Sequence, residues 1–162
     1  NLETSRAFFP RICTTHDYDS RIETILTAQA AGLSICSGGI IGMGETMEDR
    51  LAMAFALREL GVRSIPINIL NPVPGTPLAG APPLSADEIL RTFALFRFVN
   101  PAADIRFAGG RTQLNDRGER ALAGPASGMM TGNLLTTSGT GIADDIAMLE
   151  RLGLSNGIDL SM

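Results

Sequence analysis

The sequence predicts an α/β fold: a parallel β/α barrel of the TIM-barrel type, of which the chain carries only the C-terminal half. Three observations point there. Strand and helix signals alternate four times along 162 residues, and right-handed β–α–β crossovers turn such an alternation into a parallel sheet. Hydrophobic residues make up 44% and charged residues only 19%, a surplus that suits strands buried on both faces. Polar residues also keep to one parity of the strands, as they do in a barrel whose chemistry gathers inside. Four or five βα units make about half of a barrel, so the other half is expected before Asn1, where the chain starts without an initiator Met.

The elements follow in order. Leu2 stands between Asn1 and Glu3 in a first strand, Asn1–Thr4, which a loop through Pro10 follows. A helix is expected from Asp17 to Ala31, with Ile22, Ile25 and Leu26 as its apolar stripe and Gly32 at its end. Strand Leu33–Cys36 precedes a loop with Gly38, Gly39, Gly42 and Gly44. Thr46 caps a second helix reaching Leu60, with Leu51, Ala54 and Phe55 inward. Strand Ser64–Leu70 leads into a proline-rich stretch that fits neither helix nor central strand.

Ser85-Ala-Asp-Glu88 reads as a capping box opening a helix with Ile89, Phe93 and Phe96 on one face, halted at Asn100-Pro101. Strand Asp104–Phe107, a Gly109-Gly110 turn, a helix near Asp116–Ala123 and a short strand around Gly128–Thr131 come next. The last helix runs from Ile142 to Leu152 with Ile142, Ile146 and Leu149 in register. One domain, 1–154, is expected, with 155–162 a flexible tail.

Composition narrows the function. A net charge of −4 with few lysines speaks against nucleic acid, which needs clustered cations. No segment approaches the roughly 18 to 20 apolar residues that cross a bilayer. Two cysteines build no disulfide framework and no charged, apolar leader opens the chain, so a reducing, cytoplasmic setting is expected.

Strand parity gathers Asn1 and Glu3, Ser34 and Cys36, Asn68, and Arg106 into one interior. Cys36 is expected at the C-terminal end of its strand, followed by glycines that let a ligand approach. Its thiolate would ligate iron or attack an electrophile, and its dull role is inert packing. Arg106 keeps its charge even when buried, so it needs a partner: Glu3 in an ion pair, or an anionic ligand. Asn68 offers an amide to a polar substrate group, or satisfies a neighbouring loop. The Gly38–Gly44 run lacks the spacing of a nucleotide-binding loop and reads as a tight turn. His16, beside Thr14 and Thr15, is expected to cap or face solvent, and Cys13 lies in a loop.

Six segments, in order and in register, resemble biotin synthase. They are Asn1-Leu2-Glu3-Thr4, the run from Ile35-Cys36-Ser37-Gly38-Gly39 to Glu45, Ser64-Ile65-Pro66-Ile67-Asn68, Gly75-Thr76-Pro77-Leu78, Arg106 to Arg111, and Gly132-Asn133-Leu134-Leu135-Thr136-Thr137. The resemblance spans Asn1 to about Leu154. It implies a radical S-adenosylmethionine enzyme that inserts sulfur into dethiobiotin, a sulfurtransferase with a [4Fe-4S] cluster and an auxiliary iron–sulfur cluster, [2Fe-2S]. Position by position, Cys36 matches a cysteine ligand of the auxiliary cluster and Arg106 its arginine ligand. Asn1 matches a residue between cofactor ribose and substrate, Glu3 a ribose-binding carboxylate, Ile40 a residue of the adenine pocket, and Asn68 a substrate contact. A homodimer and an electron donor such as flavodoxin or ferredoxin are implied as partners.

Three departures stand out. Glu3 replaces the usual Asp, and Gly124-Pro125-Ala126-Ser127 replaces Gly-Ala-Asn-Ser. Cys13 is a candidate extra ligand of a variant auxiliary cluster. The Cys-x-x-x-Cys-x-x-Cys loop that binds the [4Fe-4S] cluster is absent from these residues, so the chain alone is expected to be inactive. The rival readings are a related radical enzyme without sulfur insertion, and a non-catalytic half-barrel scaffold.

Overall fold

A computed structural model describes residues 1–134 and 138–155. Leu135-Thr136-Thr137 of the last resembling segment and nearly all of the expected tail lie outside the described residues.

Four parallel strands form one sheet: β1 (Gly39–Ile41), β2 (Ser64–Ile69), β3 (Asp104–Phe107) and β4 (Gly128–Met129). Their order in space is their order in the chain, with Gly39 opposite Ile67, Ile67 opposite Phe107 and Phe107 opposite Met129. That is the order of a barrel wall, whereas a doubly wound sheet reverses direction partway. The first expected strand is reduced to a single parallel bridge, Glu3 to Gly39, which extends the wall by one more segment. Helices α1 (Tyr18–Ala30), α2 (Met47–Glu59), α3 (Ala86–Val99), α4 (Glu119–Leu122) and α5 (Ile142–Arg151) occupy the connections and the C-terminal end. Among the described residues no helix is long and apolar enough to cross a membrane.

The two faces of the sheet differ as the sequence implies. Ile41, Ile65, Ile67, Ile69, Ile105 and Phe107 are buried and join Met53, Leu57, Phe93 and Phe96 in one core. The Phe93 and Phe107 rings lie 4.1 Å apart, tilted by 33°. Each such side chain contributes about 1.5–3 kcal/mol relative to exposure. The alternate residues Ile40, Ser64, Pro66, Asn68 and Arg106 are only half-buried and line the opposite face.

Several boundaries move. The strand expected at Leu33–Cys36 is a lone bridge, Cys36 to Ser64, and the regular strand starts at Gly39, inside the expected loop. Proline explains the gap: Pro66 has no N–H to give, so the ladder lapses opposite it at Ser37–Gly38. Gly38 and Gly39 are wall, not turn, whereas Gly42 and Gly44, at φ 95° and 99°, lie in the connection from β1 to α2 as expected. A Cβ on Gly38 would stand 1.8 Å from the Pro66 carbonyl oxygen, and one on Gly39 would stand 2.4 Å from that of Glu3. Cys36 therefore sits at the start of its strand rather than at the C-terminal end. The expected turn at Gly109-Gly110 is present, with Gly110 at φ 83° and no room for a Cβ beside the Ile69 carbonyl.

Helix α3 buries the expected Ile89, Phe93 and Phe96, whereas the stripes of α2 and α5 are rotated. Leu26, Phe55, Ile142 and Ile146 are exposed. Helix α2 instead buries Arg50, Met53, Ala54 and Leu57, and α5 buries Asp145 and Met148. In both helices a buried charged residue sets the rotation. Ser85 caps α3 by accepting from the Glu88 N–H, but the Glu88 side chain leaves the box to reach Arg50.

Candidate functional site

The half-buried face of the sheet brings Cys36 and Arg106 together across 70 residues of chain. Arg106 Nη2 donates to Cys36 Sγ at 3.2 Å and to Ser64 Oγ at 2.8 Å. Register produces this meeting: Arg106 lies beside Pro66 on β2, one pleat above Ser64, and Ser64 is bridged to Cys36. On the other side Arg106 faces Gly128, which leaves the guanidinium stem unobstructed. The expected ion pair with Glu3 does not form among the described residues. Arg106 Nε is buried with no protein partner. In the contact with Cys36 the guanidinium N–H is the donor and the sulfur the acceptor.

One level higher on the same face, Ile40 stands opposite Asn68. Asn68 accepts from the Gly109 N–H at 2.8 Å through Oδ1 and donates to the Gly39 carbonyl at 3.3 Å through Nδ2. Its amide thus ties β1 to the turn after β3, which is the loop-satisfying role. One N–H and one lone pair remain for anything bound above it. Asn1 accepts from the Gly38 N–H at 3.1 Å. Glu3 is half-buried and holds φ 70°, a left-handed conformation that a non-glycine residue adopts only at a cost of about 1–3 kcal/mol.

Cys13 and His16 lie away from this group, in the loop between Glu3 and α1. Cys13 touches Thr15 and His16 there and packs on the core cluster beside Phe9. His16 does not cap α1. Asp17 does, accepting from the Ser20 N–H at 2.8 Å. Among the described residues, no three His, Cys, Asp or Glu side chains come together as a metal site. Cys36 and Arg106 fit two corners of a cluster site: one thiol sulfur and one guanidinium with a spare buried nitrogen. The remaining ligands would have to come from elsewhere.

Two buried charge networks escaped the sequence reading. Glu45 accepts from the Gly42 and Met43 N–H groups at 2.8 and 2.7 Å, and from Arg50 Nε at 2.7 Å. Arg50 continues to Glu88 and Thr92 of α3. Glu45 thereby fixes the backbone immediately after Ile40-Ile41. Arg111 Nη2 pairs with Asp145 at 2.6 Å and also reaches Thr140. Burial pushes the Asp145 carboxyl up, but hydrogen bonds from Arg111, Thr140 and Thr131 outweigh it and hold the group below the ordinary carboxylate range. A charge on a helix face that should be apolar is the signal that could have found Arg50 and Asp145.

The chain is similar to known proteins. The model of the Biotin and Thiamin Synthesis associated domain matches residues 66–155. A biotin synthase of Clostridium botulinum (strain Hall) is 58% identical over 153 residues, 94% of this chain and 48% of that protein. That of Acetivibrio thermocellus is 55% identical over 154 residues, 95% and 48% of the two chains. That of Heliobacterium modesticaldum is 57% identical over 156 residues, 96% and 48%. The chain thus spans about half the length of these relatives. The crystal structure of methylornithine synthase superposes with a TM-score of 0.77 at 18% identity, over 97% of this chain and 51% of that one, which shows a shared fold.

Proposed function

Because the chain belongs to the family of the Biotin and Thiamin Synthesis associated domain, we propose that it is the C-terminal half of a biotin synthase, the enzyme that inserts sulfur into dethiobiotin. The observation that carries the reading is the contact between Arg106 and Cys36 on the open, polar face of a half-barrel wall. Strand parity and the resembling motifs converge on the same two residues. When bound, S-adenosylmethionine and the two clusters supply the radical and the sulfur.

The chain's own residues then hold and orient. Cys36 and Arg106 ligate the auxiliary cluster, with Ser64 keeping the guanidinium turned toward the sulfur. Asn1, Glu3 and Ile40 face S-adenosylmethionine, and Asn1 and Asn68 face dethiobiotin. Glu45 acts one step back as a positioning residue, clamping the backbone that presents Ile40. The [4Fe-4S] ligands, a homodimer partner, an electron donor such as flavodoxin or ferredoxin and a cytoplasmic setting belong to the complete enzyme under this reading.

Replacing Cys36 with Ala in the full-length protein tests it. The expected result is loss of the auxiliary-cluster absorption and of biotin formation, with reductive cleavage of S-adenosylmethionine retained. Retention of the auxiliary absorption would overturn the assignment and favour a related radical enzyme without sulfur insertion.

A further inference from the structure

The turn after β3 brings an amide and an apolar side chain to one spot. A Cβ placed on Gly109 would stand 3.1 Å from Asn68 Oδ1 and 3.5 Å from Leu134 Cδ1, so both groups reach the same bare backbone. Leu134 is half-buried and takes no part in the apolar core. It lies instead beside Asn68, on the polar face of the wall, where the amide still has one N–H and one lone pair to offer.

The loop that carries Leu134 is clamped at its neck. Gly132 donates its N–H to the Thr140 carbonyl at 3.1 Å, and Gly139 donates to Asn133 Oδ1 at 3.3 Å. The two sides of the neck come so close that a Cβ on Gly139 would stand 1.8 Å from the Gly132 carbonyl oxygen. Arg111 grips both sides. Its buried guanidinium donates to the Met130 carbonyl at 3.3 Å before the neck and to the Thr140 hydroxyl after it. The same guanidinium is anchored on the Arg117 carbonyl at 2.8 Å and on Asp145 at 2.6 Å. Only a planar fork of donors serves four acceptors at once; an ammonium in its place would drop some of them.

We propose that Leu134 is an apolar wall of the substrate site, set against the hydrocarbon chain of dethiobiotin, and that Arg111 is the positioning residue that holds it beside Asn68. The inference rests on the biotin synthase reading and extends it to two residues. Dethiobiotin joins a polar ureido ring to an apolar chain, so its site needs an amide and an apolar surface side by side. Asn68 and Leu134 are such a pair. Arg111 touches no substrate under this proposal and acts through the neck of the loop.

Equilibrium binding to the full-length, reconstituted protein tests this, with S-adenosylmethionine titrated alone and dethiobiotin titrated in its presence. Leu134→Ala should weaken dethiobiotin about tenfold, as loss of methyl groups from an apolar pocket does, and move S-adenosylmethionine by less than about twofold. Leu134→Met, of similar volume, should recover most of the loss. Arg111→Lys should also weaken dethiobiotin, and the double variant Arg111→Lys/Leu134→Ala should be no weaker than the weaker single, because both act through one contact. An arginine with a merely structural role would give additive losses and would weaken S-adenosylmethionine alike. Should Arg111→Lys fail to fold by circular dichroism, Thr140→Ala takes its place in the cycle. Unchanged dethiobiotin affinity in Leu134→Ala, or additive losses in the double variant, would overturn this inference alone. Absence of dethiobiotin binding by the native protein would overturn the biotin synthase reading, and this inference with it.

Discussion

At the scale of single residues, the site depends on what is missing as much as on what is present. Gly38 and Gly39 let the segment carrying Cys36 lie against β2 and the Glu3 backbone at distances no side chain allows. Gly38→Ala is expected to cost about 1–3 kcal/mol, since backbone must shift to admit the methyl. Gly124→Ala, where an added Cβ meets nothing within 4 Å, should be near neutral. Denaturant midpoints of the two variants measure the contrast, and equal costs would show that the close packing is not needed. The polar residues were legible because period-two alternation is strict: Leu2 and Ile35 turn toward the core while Asn1, Glu3 and Cys36 do not. The role of Pro66 was not legible, because a missing N–H registers only once its partner strand is known.

Elements were read well at their caps and at the face of α3, where Ile89, Phe93 and Phe96 are all buried, and less well at the faces of α2 and α5. Thr46 accepts from the Asp49 N–H at 3.2 Å, and Asp49 returns the bond to the Thr46 N–H at 2.9 Å. The Ser5 hydroxyl also donates to Asp49, and this bond does most to hold that carboxyl below its usual range, tying the loop after Glu3 to the start of α2. Thr46→Ala should therefore destabilise by about 1 kcal/mol. Thermal melts check this, and a loss well under half of that would mean the cap is redundant. The faces went astray for one reason. Apolar periodicity assumes that helices bury only apolar residues, whereas Arg50 and Asp145 are buried through their ion pairs and turn α2 and α5 with them. Phe55, Ile142 and Ile146 are displaced to the surface as a result.

For the molecule as a whole, the Arg111–Asp145 pair closes the C-terminal end, joining the turn after β3 to α5. Asp145 holds its proton less tightly folded than unfolded. Its contribution is complete above the ordinary carboxylate value of about 4, and is lost as pH falls through the lower folded value. Thermal midpoints between pH 7 and pH 3 should fall for the native protein and fall less for Asp145→Asn. That variant should start about 3–5 kcal/mol lower, because Arg111 is left buried and unpaired. Parallel slopes for the two proteins would remove Asp145 from the acid response. The order of the strands has a further consequence, for biosynthesis. Each segment of the wall docks on one the ribosome has already delivered, so the sheet can assemble during translation. Cys36 nonetheless emerges 70 residues before its arginine, roughly 4 to 14 seconds at ordinary elongation speeds. During that interval the nascent sulfur is unaccompanied, and whatever reaches it first meets it without its guanidinium.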